Sequence, residues 1–235
     1  MRMMGTILFL LSSFAIPPAH AAMQAAVPAT SMQTPGTQTM LVEITLERMR
    51  GTNIEPMAAG HVFAPGDVIR LKLTSHYDGF LYVMDQGTSG RFATVFPSAE
   101  TGSDNRVRNG KQYLVPARDE GWFEVTGPVG FDVLYFLLSP TALATPSLGS
   151  FAAPGPVSSL KPRCNDDIFR ARGECTDDSA GPALIAPGQA LPAPLAPIAA
   201  GASRDLVFSN KANGTVGVTG EGAAPMLYTF RLAHL

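Results

Sequence analysis

Short apolar runs separated by turn residues dominate the middle of the chain. Phe63-Ala64-Pro65-Gly66-Asp67 leads into Val68–Ser75, and Tyr77-Asp78-Gly79 leads into Phe80–Met84. Phe92–Phe96 stops at Pro97, Gln112–Val115 at Pro116, and Trp122–Val125 at Gly127-Pro128, before Phe131–Ser139 closes the series. Runs of this length bounded by Gly, Pro, Asn and Asp predict an all-β sandwich or barrel. Val42–Glu47 alternates apolar with polar, as does Ile69–Leu73, so each reads as a half-buried strand. Val133–Leu138 is apolar on both faces and reads as a central strand covered on both sides. Asp205–Ser209 and Met226–Leu232 read as terminal strands, with Asn213-Gly214 as a turn between them.

Outside these runs the pattern changes. Residues 1–21 have the layout of a secretory signal peptide: Arg2, an apolar stretch Ile7–Ile16, and Ala19-His20-Ala21 before the cut. That stretch is too short to span a bilayer as a helix. An exported protein, periplasmic or extracellular and without a membrane span after cleavage, is the expectation. Residues 22–39 are uncharged and aperiodic, a flexible leader. Residues 40–235 then form one β-sandwich domain, in which 141–204 is a loop-rich insertion. Thr141–Leu160 and Gly181–Ser203 within it are Ala/Pro/Gly-rich and carry no charge. The prolines of Pro182–Ala202 block a continuous helix, so an extended, polyproline-like course is expected there.

Composition narrows the function classes. The formal net charge is −2, with 17 Lys and Arg against 19 Asp and Glu, so there is no basic surplus for nucleic acid. Charged residues make up only 15 % of the chain, beside 23 Gly and 20 Pro, which fits a loop-rich exported β-protein better than a helical enzyme.

The order Phe63-x-Pro65-Gly66-Asp67, Tyr77-Asp78-Gly79-Phe80-Leu81-Tyr82-Val83 and Thr94-Val95-Phe96-Pro97 resembles the bacterial family called domain of unknown function 4384. Asn105-Arg106-Val107, Gly110, Val115-Pro116 and Gly127-Pro128-Val129-Gly130 follow in the same order, so the resemblance covers roughly residues 40–140. It implies an Ig-like antiparallel sandwich, exported or appended to larger envelope proteins, and it implies no activity.

Candidate chemistry is sparse. Cys164 and Cys175 are the only cysteines. In an oxidising compartment a disulfide is favoured over a metal pair or free thiols, and it contributes about 3 kcal/mol in the chain-entropy model. The same loop repeats Cys-x-Asp-Asp, which gathers Asp166, Asp167, Asp177 and Asp178. These are oxygen ligands suited to calcium, but the spacing matches no EF-hand, and Arg163, Arg170 and Arg172 offset the charge equally well. His61, His76 and His234 belong to no His-Glu-x-x-His set, and neither Gly-x-Ser-x-Gly nor a P-loop is present. No catalytic residue and no cofactor is expected. Trp122, Tyr82, Tyr77 and Phe92 are either an exposed platform for sugar or peptide, or, as burial tendencies favour, core. The expected role is a non-enzymatic module that binds a protein or an envelope component. The alternative is a secreted hydrolase whose site is assembled from scattered residues, and a cleft with convergent titratable groups would favour it.

Overall fold

The computed structural model describes residues 39–99, 101–117, 121–143, 151–152 and 180–235. Residues 1–38, the cysteines and the acidic loop Asp166–Asp178 lie outside them, and Thr39, expected to end the leader, instead opens the first strand. Along the chain run β1 (Thr39–Arg50), β2 (Asn53–Met57), β3 (Val62–Phe63), β4 (Val68–Ser75), β5 (Gly79–Gln86) and β6 (Arg91–Phe96). Then come β7 (Arg106–Val107), β8 (Lys111–Val115), β9 (Phe123–Glu124), β10 (Gly130–Ser139), β11 (Phe151–Ala152) and β12 (Gly181–Ala183). A short helix α1 (Ala196–Gly201) precedes β13 (Val207–Asn210), β14 (Val216–Glu221) and β15 (Met226–His234).

These strands build two sheets. The first has the order β13-β14-β1-β4-β8, with β2 also on β1 and β9 also on β4. The second has the order β11-β6-β5-β10-β15-β12, with β7 also on β5 and β3 also on β15. All pairs are antiparallel except β3 with β15. The sheets face each other across one core, so the fold is an all-β sandwich.

Period-2 alternation decides what fills that core. Val42, Ile44 and Leu46 of β1 and Ile69, Leu71 and Leu73 of β4 meet Leu81, Val83, Phe136, Leu138, Tyr228 and Phe230 of the second sheet. Phe136 stacks on Tyr228 at 5.4 Å between ring centroids and meets Phe230 edge-on at 6.3 Å. The opposite face of the first sheet is polar: Arg70 Nε donates to Glu47 at 2.8 Å, and Lys72 pairs with the same carboxylate.

The second sheet is apolar on its outer face as well. Tyr82, Met84, Tyr135, Leu137 and Leu227 lie there beneath Leu191, Leu195 and Ile198. Thus β10, between β5 and β15, is covered on both sides, as its unbroken apolar run predicts. The covering segment corrects the expectation of an extended, polyproline-like course over Pro182–Ala202. Gly181–Ala183 pairs with β15, and Ala196–Gly201 is helical with proline at its start, where a missing N–H goes unused.

A second correction concerns the C-terminal region. Asn213-Gly214 does not join the two expected terminal strands, because β14 lies between them and pairs with both β1 and β13. Its glycines break the apolar alternation for a packing reason. A methyl group on Gly217 would stand 2.6 Å from Ser209 Oγ, and one on Gly220 would stand 2.6 Å from Leu206 and Met226.

Candidate functional site

Three neighbouring strands of the second sheet carry an apolar inner face that ends in a titratable residue. On β5 the series is Leu81, Val83, Asp85; on β10 it is Leu138, Phe136, Leu134, Asp132; on β15 it is Tyr228, Phe230, Leu232, His234. The register pairs Leu134 with Asp85, Asp132 with Leu232 and Gly130 with His234. Asp85, Asp132 and His234 therefore form a diagonal across adjacent strands at one end of the sandwich, within the reach of diagonal neighbours.

Local geometry fixes this diagonal. The Thr88 amide donates to Asp132 Oδ1 at 3.0 Å, and His234 Nε2 lies 3.5 Å from the same oxygen. His234 is completely buried, and neither ring nitrogen has a hydrogen-bond partner among the described residues. Asp85 Oδ1 is likewise sealed and unpartnered there. Burial, reinforced by the neighbouring Asp132 carboxylate, pushes the Asp85 carboxyl up to about 7. On the other face of the sheet Tyr135 Oη donates to Gln86 at 2.9 Å. Its hydroxyl is pushed up to about 12, by burial first and then by the charge of Asp85.

The carboxylates open into a cleft of about 320 Å³ between the two sheets. Ile69, Leu71, Val95, Phe123, Leu134 and Leu232 give it apolar walls, while Thr88, Ser89 and Thr126 add hydroxyls. Glu124 and Arg70 also line it. The Arg70 guanidinium is directed elsewhere, onto Glu47 and over the Trp122 ring at 4.4 Å from its centroid. The mouth is made by two loops in close contact. A methyl on Gly130 would come within 2.8 Å of Thr88 Cγ2, and one on Gly127 within 3.3 Å of Thr88 Oγ1. The Gly127-Pro128-Val129-Gly130 stretch is thus a wall of the cleft whose glycines make room for Thr88.

Residues singled out in the sequence fall mostly elsewhere. His76 Nε2 is 3.6 Å from Glu43, while Asp78 accepts from the Asn109 amide, so no His76–Asp78 pair forms. His61 packs edge-on against Phe63 at 4.7 Å, and burial, with Arg48 adding to it, lowers its pKa. Tyr77, Tyr82 and Phe92 are core, and Trp122 is half-buried beneath Arg70, so these four do not make an exposed platform. Cys164, Cys175, Asp166, Asp167, Asp177 and Asp178 are outside the described residues. Among the described residues no group of three or more His, Cys, Asp or Glu is arranged to hold a metal ion. No described helix is long and apolar enough to cross a membrane.

Fold and cleft together define the class: a two-sheet β-sandwich with an acidic cleft at one end. The family model described as Domain of unknown function (DUF4384) matches residues 62–142 of the chain, in agreement with the resemblance read from its motifs. No curated protein matches the chain, and no solved structure matches it. The matched segment contains Asp85, Gly87, Thr88 and Asp132 but not His234.

Proposed function

We propose that the protein is an exported, non-catalytic module, periplasmic or extracellular, that binds a protein or cell-envelope component through the cleft at the end of its sandwich. The observation that carries this reading is the cleft itself: paired carboxylates over apolar walls, the composition of a recognition pocket. The export half of the reading rests on the signal-peptide pattern of residues 1–21. Recognition rather than chemistry is favoured by the state of Asp132. One of its oxygens is already engaged by the Thr88 amide, and the imidazole beside it is sealed from solvent.

A photo-crosslinking residue placed at Thr126, on the exposed rim, tests the reading in the intact cell. It should give a discrete adduct in the envelope fraction that disappears when Asp85→Asn is added. The same residue at exposed Lys111, on a different edge of the fold, should give none. Equal adducts from both positions, or an adduct indifferent to Asp85→Asn, would contradict the proposal.

The hydrolase alternative keeps one specific observation. Asp85 and Asp132 converge in one cleft, and a pair of carboxyls of which one has its pKa raised by burial is the arrangement used for acid–base catalysis. Turnover of a chromogenic ester, glycoside or peptide that is abolished by Asp132→Asn would replace the binding reading with this one.

A further inference from the structure

A second concavity, of about 480 Å³, shares no lining residue with the carboxylate cleft. The covering segment builds it on the outer face of the second sheet. The stretch 184–191 and helix α1 are its walls, and the buried Leu227 of β15 is its floor. Its volume is that of a small-molecule site. Shape and chemistry limit what fits. The walls are aliphatic and mostly small, with Ala196, Ala199 and Ala200 on α1, and Leu184, 50 % exposed, carries the apolar lining out to the rim. No aromatic ring lines the groove, so a sugar or a flat ring has nothing to stack on. Every polar side chain on the lining, Gln189, Ser203 and Arg204, can donate a hydrogen bond, and none is acidic. Arg204 is the one charged residue there; it is exposed, and no ion pair engages it among the described residues. Asp205, next in the chain, does not line the groove.

We propose that this groove binds a single-chain fatty carboxylate, its tail along the alanine-lined wall over Leu227 and its carboxylate on Arg204. The choice of head group follows from charge. A guanidinium takes a carboxylate through two parallel N–H···O bonds, and one cation matches one negative charge. A phosphate monoester carries close to two charges and would leave part of its charge uncompensated. The choice of tail follows from the lining. Alanine side chains leave room for a slender methylene chain, and each methylene removed from water strengthens binding by about fourfold. The inference goes beyond the cleft reading and does not depend on it.

Methyl chemical shifts of Leu184, Ala200 and Leu227 in the full chain report occupancy. Five probes are titrated separately: octanoate, decanoate, decanol, decyltrimethylammonium and Nα-acetyl-leucyl-leucine, which ends in the same carboxylate on a peptide. Decanoate should move these signals and bind about tenfold more tightly than octanoate, which is two methylenes shorter. Decanol, with the same tail and no charge, should bind about tenfold more weakly than decanoate, and the cationic amphiphile should give no response. Arg204→Gln should bring decanoate down to the level of decanol and leave decanol unchanged. Ala200→Trp, at an exposed position on α1, should block decanoate while preserving the remaining spectrum. Asp85→Asn should alter none of these values, which keeps this test separate from the crosslink at Thr126. Decanol or the cationic amphiphile binding as well as decanoate would overturn the proposal, as would a tighter-binding dipeptide or silence from every probe. So would an ineffective Arg204→Gln or Ala200→Trp, or a loss of decanoate binding in Asp85→Asn.

Discussion

At the scale of single residues, two carboxylates behave in opposite ways because of what surrounds them. For Glu47 the largest influence is desolvation, which raises its pKa, but the hydrogen bonds and charges of Lys72 and Arg70 together outweigh it and hold the group below the usual range. A depressed pKa stabilises the fold above the unfolded value and loses that contribution as pH falls, so Glu47→Gln should narrow the gap to wild type in acid. Asp85 has no such partners among the described residues, and burial, with Asp132 adding to it, raises it from 3.8 to about 7. In its case stability is fully present below pH 3.8 and is lost as pH rises to about 7. The loss is at most about 4 kcal/mol, at roughly 1.4 kcal/mol per unit. Asp85→Asn should therefore be more stable than wild type in urea melts at pH 8, with the advantage vanishing near pH 4. An advantage independent of pH would show that Asp85 is not buried in this way. None of this was readable from sequence. Asp85 ends an apolar strand that looks ordinary, and only strand register brings it beside Asp132 and His234.

At the scale of elements, alternation and turn residues predicted the strands that carry branched and aromatic side chains. Val68–Ser75 is identical in sequence pattern and structure, and Phe131–Ser139 differs by one residue. Where glycine or proline replaces the bulky residue the pattern disappears. β14 alternates Val216 and Val218 with glycines demanded by close packing, and β12 is Gly-Pro-Ala. The covering segment of 184–202 was equally hidden, since its small residues show neither period. Its anchor is Leu195, fully buried against the outer face of the second sheet. Leu195→Ala should cost about 2–5 kcal/mol by transfer and cavity terms, measured by denaturant unfolding. A loss under about 0.5 kcal/mol, the range of surface substitutions, would mean that this segment does not pack on the sheet.

For the whole molecule, the matched segment 62–142 and the set of strands that build the sandwich do not coincide. β15 lies beside β10 in the second sheet, while β1 and β14 lie at the centre of the first. Expressed alone, residues 62–142 would leave β10 and β4 with apolar, unpaired edges, so the fragment should aggregate. A soluble fragment with a cooperative unfolding transition would show that the terminal strands are dispensable. The same arrangement builds the cleft, because β5 and β10 supply its carboxylates while β15, from the far end of the sequence, supplies Leu232 and the imidazole behind Asp132. The most direct test of the account is the titration of the Asp85 side-chain carboxyl by carbon NMR in the full protein. A midpoint near 7 is the expected result, because burial penalises the ionised carboxylate. A midpoint near 3.8 would contradict it, since Asp85 would then be an ordinary solvated carboxylate.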